Sequence, residues 1–122
     1  MVKPFAGLVG VLFLLLGLTG FFTHELFGMI HFDLLHNIIH LGIGAAGIWA
    51  MRSEDTAIKF AKTVGLLYVV LGILGMVLPD MLGLMHMENA ENVLHLVVGV
   101  IGLYLGFTAQ TIQTVKLKSK MN

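Results

Sequence analysis

Two long runs of this sequence hold no Asp, Glu, Lys or Arg: the eighteen residues Phe5–Phe22 and the twenty-three residues Asn92–Thr114. A helix of about 20 apolar residues spans a bilayer, within a range of roughly 17–25. Two shorter runs, Leu41–Met51 and Thr63–Leu78, gain length from uncharged or weakly polar flanks. The pattern predicts four transmembrane helices, near 4–22, 34–51, 58–78 and 91–114. Lipid offers backbone N–H and C=O groups no partner, so only helices or a closed barrel can cross it. No ten-residue segment alternates with period two, which argues against a barrel. The expected fold is therefore all-α integral membrane, with residues 1–122 forming one membrane domain.

Composition narrows the function classes. Charged residues make up 11% of the chain, against about 25% in a soluble domain. The absence of Cys removes disulfide, iron–sulfur and thiol chemistry. A net charge of zero gives no reason to expect a nucleic-acid partner. The chain carries no nucleophile–base pair, phosphate loop or dinucleotide fingerprint, so it is not expected to be an enzyme. Lys3 before a Leu-rich run looks like a signal peptide, but "GFFTHELFG" supplies no small-x-small cleavage site and the segment recurs internally, so a membrane helix is expected.

That recurrence is a duplication. Shifted by fifty-five, "FAGLVGVLFLLLGLTG" (5–20) lies on "FAKTVGLLYVVLGILG" (60–75) without a gap. The register continues through Gly28/Gly83, His31/His86, Asn37/Asn92, His40/His95, Gly44/Gly99 and Gly47/Gly102. Fifteen identities fall within residues 5–47, among them two His, one Asn and six Gly, which apolar bias does not explain. Repeat 1 covers about 5–51 and repeat 2 about 60–106, with a basic tail at 115–122. Each repeat has two spans, so both enter the membrane from the same side, and the pair should be related by a pseudo-two-fold along the membrane normal.

All seven basic residues lie near the N-terminus, in the 51–62 loop or in the C-terminal tail. The other two connections, about 23–33 and 79–90, have no Lys or Arg. Both termini are therefore expected in the cytoplasm of a bacterial inner (plasma) membrane, with the His- and acid-rich loops outside. Those loops also hold Met29, Met81, Met85 and Met87, and are expected to lie along the interface as short amphipathic segments.

Residues three and four apart share a helix face. Asn37, His40, Gly44 and Gly47 make such a stripe, as do Asn92, His95, Gly99 and Gly102. Small stripes let helices approach closely in lipid. His40 and His95 are candidate cofactor ligands, facing each other across the axis, with His31, His36 and His86 as supporting metal ligands. Facing imidazoles suit haem iron, the magnesium of a chlorophyll, or a transition metal. Haem lacks Lys or Arg for its propionates on that side, and copper or zinc fits the His, Met and carboxylate content better. The competing reading is structural: Asn and His hydrogen-bond across helices and hold the bundle in register. Asp33 and Asn89 are placed as helix N-caps, Glu91 as a macrodipole partner, and Tyr68 as an anchor or packing residue.

The duplicated Asn-x-x-His-x-x-x-Gly-x-x-Gly of "HNIIHLGIGAAG" and "ENVLHLVVGVIG", with a "GLLYVVLGILG" type of helix, resembles an uncharacterised family of small bacterial four-helix membrane proteins, a domain of unknown function. The resemblance covers nearly the whole chain and implies a duplicated four-helix membrane architecture, with no activity attached. The leading expectation is a structural or accessory membrane component that packs through Gly-rich faces, as a homo-oligomer or within a larger membrane complex. The alternative is a metal- or tetrapyrrole-binding membrane protein built on the His pair.

Overall fold

Residues 1–83 and 86–122 are described in a computed structural model. Four helices account for most of the chain: α1 (Val2–Thr19), α2 (Leu34–Ala50), α3 (Glu54–Val77) and α4 (Asn89–Met121). Three of them, α1, α3 and α4, are long and apolar enough to cross a membrane. The second, α2, is apolar but only 17 residues, the lower limit for a span. Large apolar side chains such as Leu8, Leu15, Leu66, Ile73, Val100 and Phe107 point outward. An apolar surface of this extent suits a lipid surround better than water.

Local chemistry sets the helix ends. Asp33 caps α2 as expected, accepting the His36 N–H at 2.8 Å. Ser53 accepts the Thr56 N–H at 3.2 Å, and Glu54 and Asp55 occupy the first turn. This is why α3 begins four residues before the predicted boundary. Glu88, not Asn89, is the N-cap of α4, and its N–H donates to the Glu91 carboxylate at 3.3 Å. After Gly106 no Gly or Pro interrupts the chain, so the tail at 115–122 is not a separate segment but the last turns of α4. Lys118 and Lys120 suit the negative end of its dipole.

The connection between α1 and α2 differs from the expected amphipathic segment. It forms a small hairpin of β1 (Glu25–Leu26) and β2 (Ile30–His31), antiparallel, with Glu25 opposite His31. Its turn requires left-handed backbone, and Gly28 supplies it at φ +68°. Strands of two residues are too short to show any alternation in sequence. The second connection contains a 3₁₀ turn, Met81–Gly83. The expectation concerning Met85 lies outside the described residues.

The chain folds as two antiparallel hairpins, α1 on α2 and α3 on α4, which meet chiefly along α1 and α3. Phe5, Ala6, Val9 and Phe13 of α1 and Ala57, Ala61, Val64 and Tyr68 of α3 form the shared core. The glycine stripes face inward, within each hairpin. A Cβ on Gly10 would lie 2.8 Å from the Gly44 carbonyl oxygen, and one on Gly44 2.8 Å from that of Gly10. At Gly65 and Gly99 the corresponding figures are 2.9 and 2.8 Å. Gly47 and Gly102 meet the Ala6 and Ala61 carbonyls in the same way. Gly20 and Gly75 leave room for the Asn37 and Asn92 carboxamides, which a Cβ there would strike. Contacts thus recur at positions fifty-five apart, including loop bonds: Phe32 N–H donates to the His24 carbonyl at 2.9 Å, and Met87 N–H to that of Pro79 at 2.7 Å.

Candidate metal centre

Three imidazoles converge between the hairpins. His36 and His40 lie one turn apart on α2, and His95 comes from α4. Each offers a ring nitrogen, all three within 4.8 Å of one another. None is more than 3% exposed. The His36 and His40 ring centroids are 4.2 Å apart, and those of His36 and His95 are 6.2 Å apart. His36, expected only as a supporting ligand, is therefore the ring that joins the other two.

Aromatic rings hold the imidazoles in place. Phe13 stacks on His40 with centroids 5.2 Å apart and planes 9° from parallel. Tyr68 lies against His95 at 4.7 Å. Phe13 and Tyr68 touch each other at 5.2 Å, where α1 meets α3. Positions 13 and 68 are fifty-five apart, and so are His40 and His95. Of the two roles the sequence left open for Tyr68, interfacial anchor or packing residue, it takes the second. It is 1% exposed, because the α1–α3 contact buries it.

The site is rich in buried polar atoms without partners. Among the described residues, Nδ1 of His36, His40 and His95, the Tyr68 hydroxyl and both side-chain polar atoms of Asn92 make no hydrogen bond. Each such atom costs about 1–3 kcal/mol when it is desolvated and unpaired. Glu91 Oε1 approaches His36 Nδ1 to 3.1 Å, but the two are not aligned as a hydrogen bond. The contact still fixes one side of the His36 ring, as outer carboxylates do for metal-bound histidines. Glu91 is thus more than the macrodipole partner expected from sequence.

A cavity of about 20 Å³ sits among the rings, lined by His36, Ile39, His40, Tyr68, Leu71, Met87 and His95. About 10–15 Å³ holds one water, so the space suits a single water or ion. A cofactor the size of a tetrapyrrole needs roughly 300–1,000 Å³. Haem and chlorophyll do not fit between these histidines. Nitrogens bound to one ion at about 2.0 Å lie about 3.3 Å apart, so small ring rotations of ~1.5 Å or less would close the set.

His31 and His86 do not reach this cluster. Both are exposed in the α1–α2 and α3–α4 connections and share Glu88: His31 Nδ1 lies 2.9 Å and His86 Nε2 3.4 Å from its Oε1. His31 also approaches Glu25 at 3.5 Å, and His86 Nδ1 is 2.9 Å from Asp80 Oδ1. That hydrogen bond to Asp80 raises the His86 pKa above its ordinary value. The hairpin pairing and the turn after α3 hold these two histidines on the surface, away from the buried rings.

Tyr68, Met87 and Glu91 are the site residues that the sequence reading did not assign to it. The repeat register was the signal available, since it pairs them with Phe13, Phe32 and His36, which are also buried. Neither curated proteins nor solved structures give a match to the chain. One family does, over almost the full length and across both hairpins: the chain belongs to the family defined by the domain of unknown function DUF4383, which matches residues 3–108.

Proposed function

We propose that this chain is a small, non-enzymatic integral membrane protein that holds one transition-metal ion between its two hairpins, at His36, His40 and His95. The observation that carries this reading is the convergence of three buried imidazoles on a cavity the size of one ion. A purely structural role asks the same side chains to hydrogen-bond across helices. Among the described residues, Nδ1 of His40 and of His95 has no such partner, and His36 Nδ1 meets only the Glu91 carboxylate at 3.1 Å. A bound ion would satisfy the imidazoles and repay their desolvation.

The architecture we propose around the site is two tandem hairpin repeats related by an axis along the membrane normal. Equivalent glycine contacts at positions fifty-five apart support it. The basic residues gather where α1, α3 and α4 have their Lys-bearing ends, and the six histidines lie toward the other end. By the distribution of Lys and Arg, the termini are cytoplasmic and the metal site lies in the outer leaflet. A C-terminal tag reached from outside intact cells would overturn that orientation.

The test of the site is direct. The protein is purified in mild detergent, and its metal content and absorption spectrum are measured beside those of a His40→Ala/His95→Ala variant. Near-stoichiometric copper or zinc in the wild type, lost in the variant, is the expected result. A folded, metal-free wild type that takes up neither metal when offered would sink the reading.

A further inference from the structure

The donors around the cavity differ from those of an ordinary zinc site. Besides three imidazoles they include the thioether of Met87, which is buried at 2% exposure and lines the same space. Glu91 is not among the lining residues; it stands behind His36 at 3.1 Å. The residues that line the space thus offer imidazole nitrogen, one thioether and one phenol, and no carboxylate. Zinc sites use His, Cys and carboxylate ligands. Thioether sulfur instead selects monovalent copper.

Charge points the same way. Taking an ion into a low-dielectric interior costs several kcal/mol even after relaxation, and the cost rises with charge. The ligands that line the cavity are neutral side chains. No acidic residue lines the space, so a monovalent ion is taken in there at less cost than a divalent one.

The backbone also presents Met87 deliberately. Its N–H donates to the Pro79 carbonyl at 2.7 Å, which closes the connection before α4 and turns the residue into the bundle. The position fifty-five residues earlier is Phe32, with an equivalent bond to His24. The fold therefore needs only an apolar residue there, and a thioether appears in the one copy beside His95. We infer that the site is selective for copper(I), with Met87 as the fourth ligand to His36, His40 and His95. This rests on the metal-site reading above.

The experiment titrates the detergent-purified protein with copper(I) against a chromogenic copper(I) chelator, and separately with zinc(II). It uses the wild type and Met87→Leu, a swap of similar volume that keeps the core filled. One copper(I) per chain is expected. Met87→Leu should weaken it at least about tenfold, the lower end of what even an outer partner contributes, and leave zinc(II) affinity unchanged. X-ray absorption of the copper-loaded wild type should show a sulfur neighbour, a readout that needs no variant. Equal copper(I) affinity in both proteins, or no sulfur scattering, overturns the copper assignment while the three-histidine site stands. Failure to bind either metal overturns both.

Discussion

In the first hairpin the buried positions 13, 32 and 36 hold Phe, Phe and His; in the second, the positions fifty-five residues on hold Tyr68, Met87 and Glu91. Elsewhere the two halves agree where backbones touch. Gly10 meets Gly44 as Gly65 meets Gly99, and Asn37 seats against Gly20 as Asn92 does against Gly75. At those points a Cβ has no room, so the physical constraint is the same in both copies. Where side chains meet across the hairpins there is room for different groups. The difference there gives the proposed site its mixed donors, with two imidazoles from α2 and one from α4 with a carboxylate behind His36.

The comparison is broken most severely by removing the ligands that the halves share. The double substitution His40→Ala/His95→Ala should lower metal affinity by about 100-fold or more, the upper end of what even an outer partner contributes. Equilibrium competition with a chelator measures it. Retained affinity would mean that the equivalent histidines are not ligands.

Next in size are the shared glycines. Gly44→Ala and Gly99→Ala each place a Cβ 2.6 Å from a backbone nitrogen, of Leu14 and Val69 respectively. Overpacking of this kind costs about 1–3 kcal/mol. Unfolding in detergent should give the two variants the same loss, and a large difference would break the equivalence of the hairpins. Gly42 has nothing within 4 Å of its Cβ position, so Gly42→Ala should be neutral or stabilising by up to about 1 kcal/mol.

A smaller effect sharpens the difference between the halves. Tyr68→Phe makes the second copy like the first at this pair and removes a buried hydroxyl without a partner. The metal-free protein should gain about 1 kcal/mol, the lower end of the desolvation cost. A loss instead would show that the hydroxyl is bonded. The smallest effect is expected at His31, which is exposed and pairs with Glu25 and Glu88. His31→Ala should leave both metal affinity and unfolding temperature nearly unchanged.

Much of this was legible in the sequence. Uncharged runs marked the helices, and the fifty-five-residue register marked the glycine faces and the histidines at 40 and 95. The remainder was hidden for identifiable reasons. A register scored by identity sets aside 13/68, 32/87 and 36/91, the pairs that place Tyr68, Met87 and Glu91 at the candidate site. Spacing along a helix placed His36 one turn from His40 and the repeat set His95 opposite His40, but only the packing of the two hairpins shows that His36 joins them. His31 and His86 matched perfectly and yet lie outside the site, because a short hairpin and a 3₁₀ turn hold them at the surface. The glycine stripes allowed packing within the bundle as well as docking to other chains, and their contacts fall within each hairpin.

The most direct test is thermal unfolding in detergent with and without metal. A ligand at about 100 times its Kd stabilises the state that binds it by about 2.7 kcal/mol. Wild-type protein supplied with copper(I) or zinc(II) should unfold several degrees higher, and a His36→Ala/His40→Ala/His95→Ala variant should not respond. A wild type whose unfolding temperature is the same with and without either metal would contradict a metal ion between the hairpins.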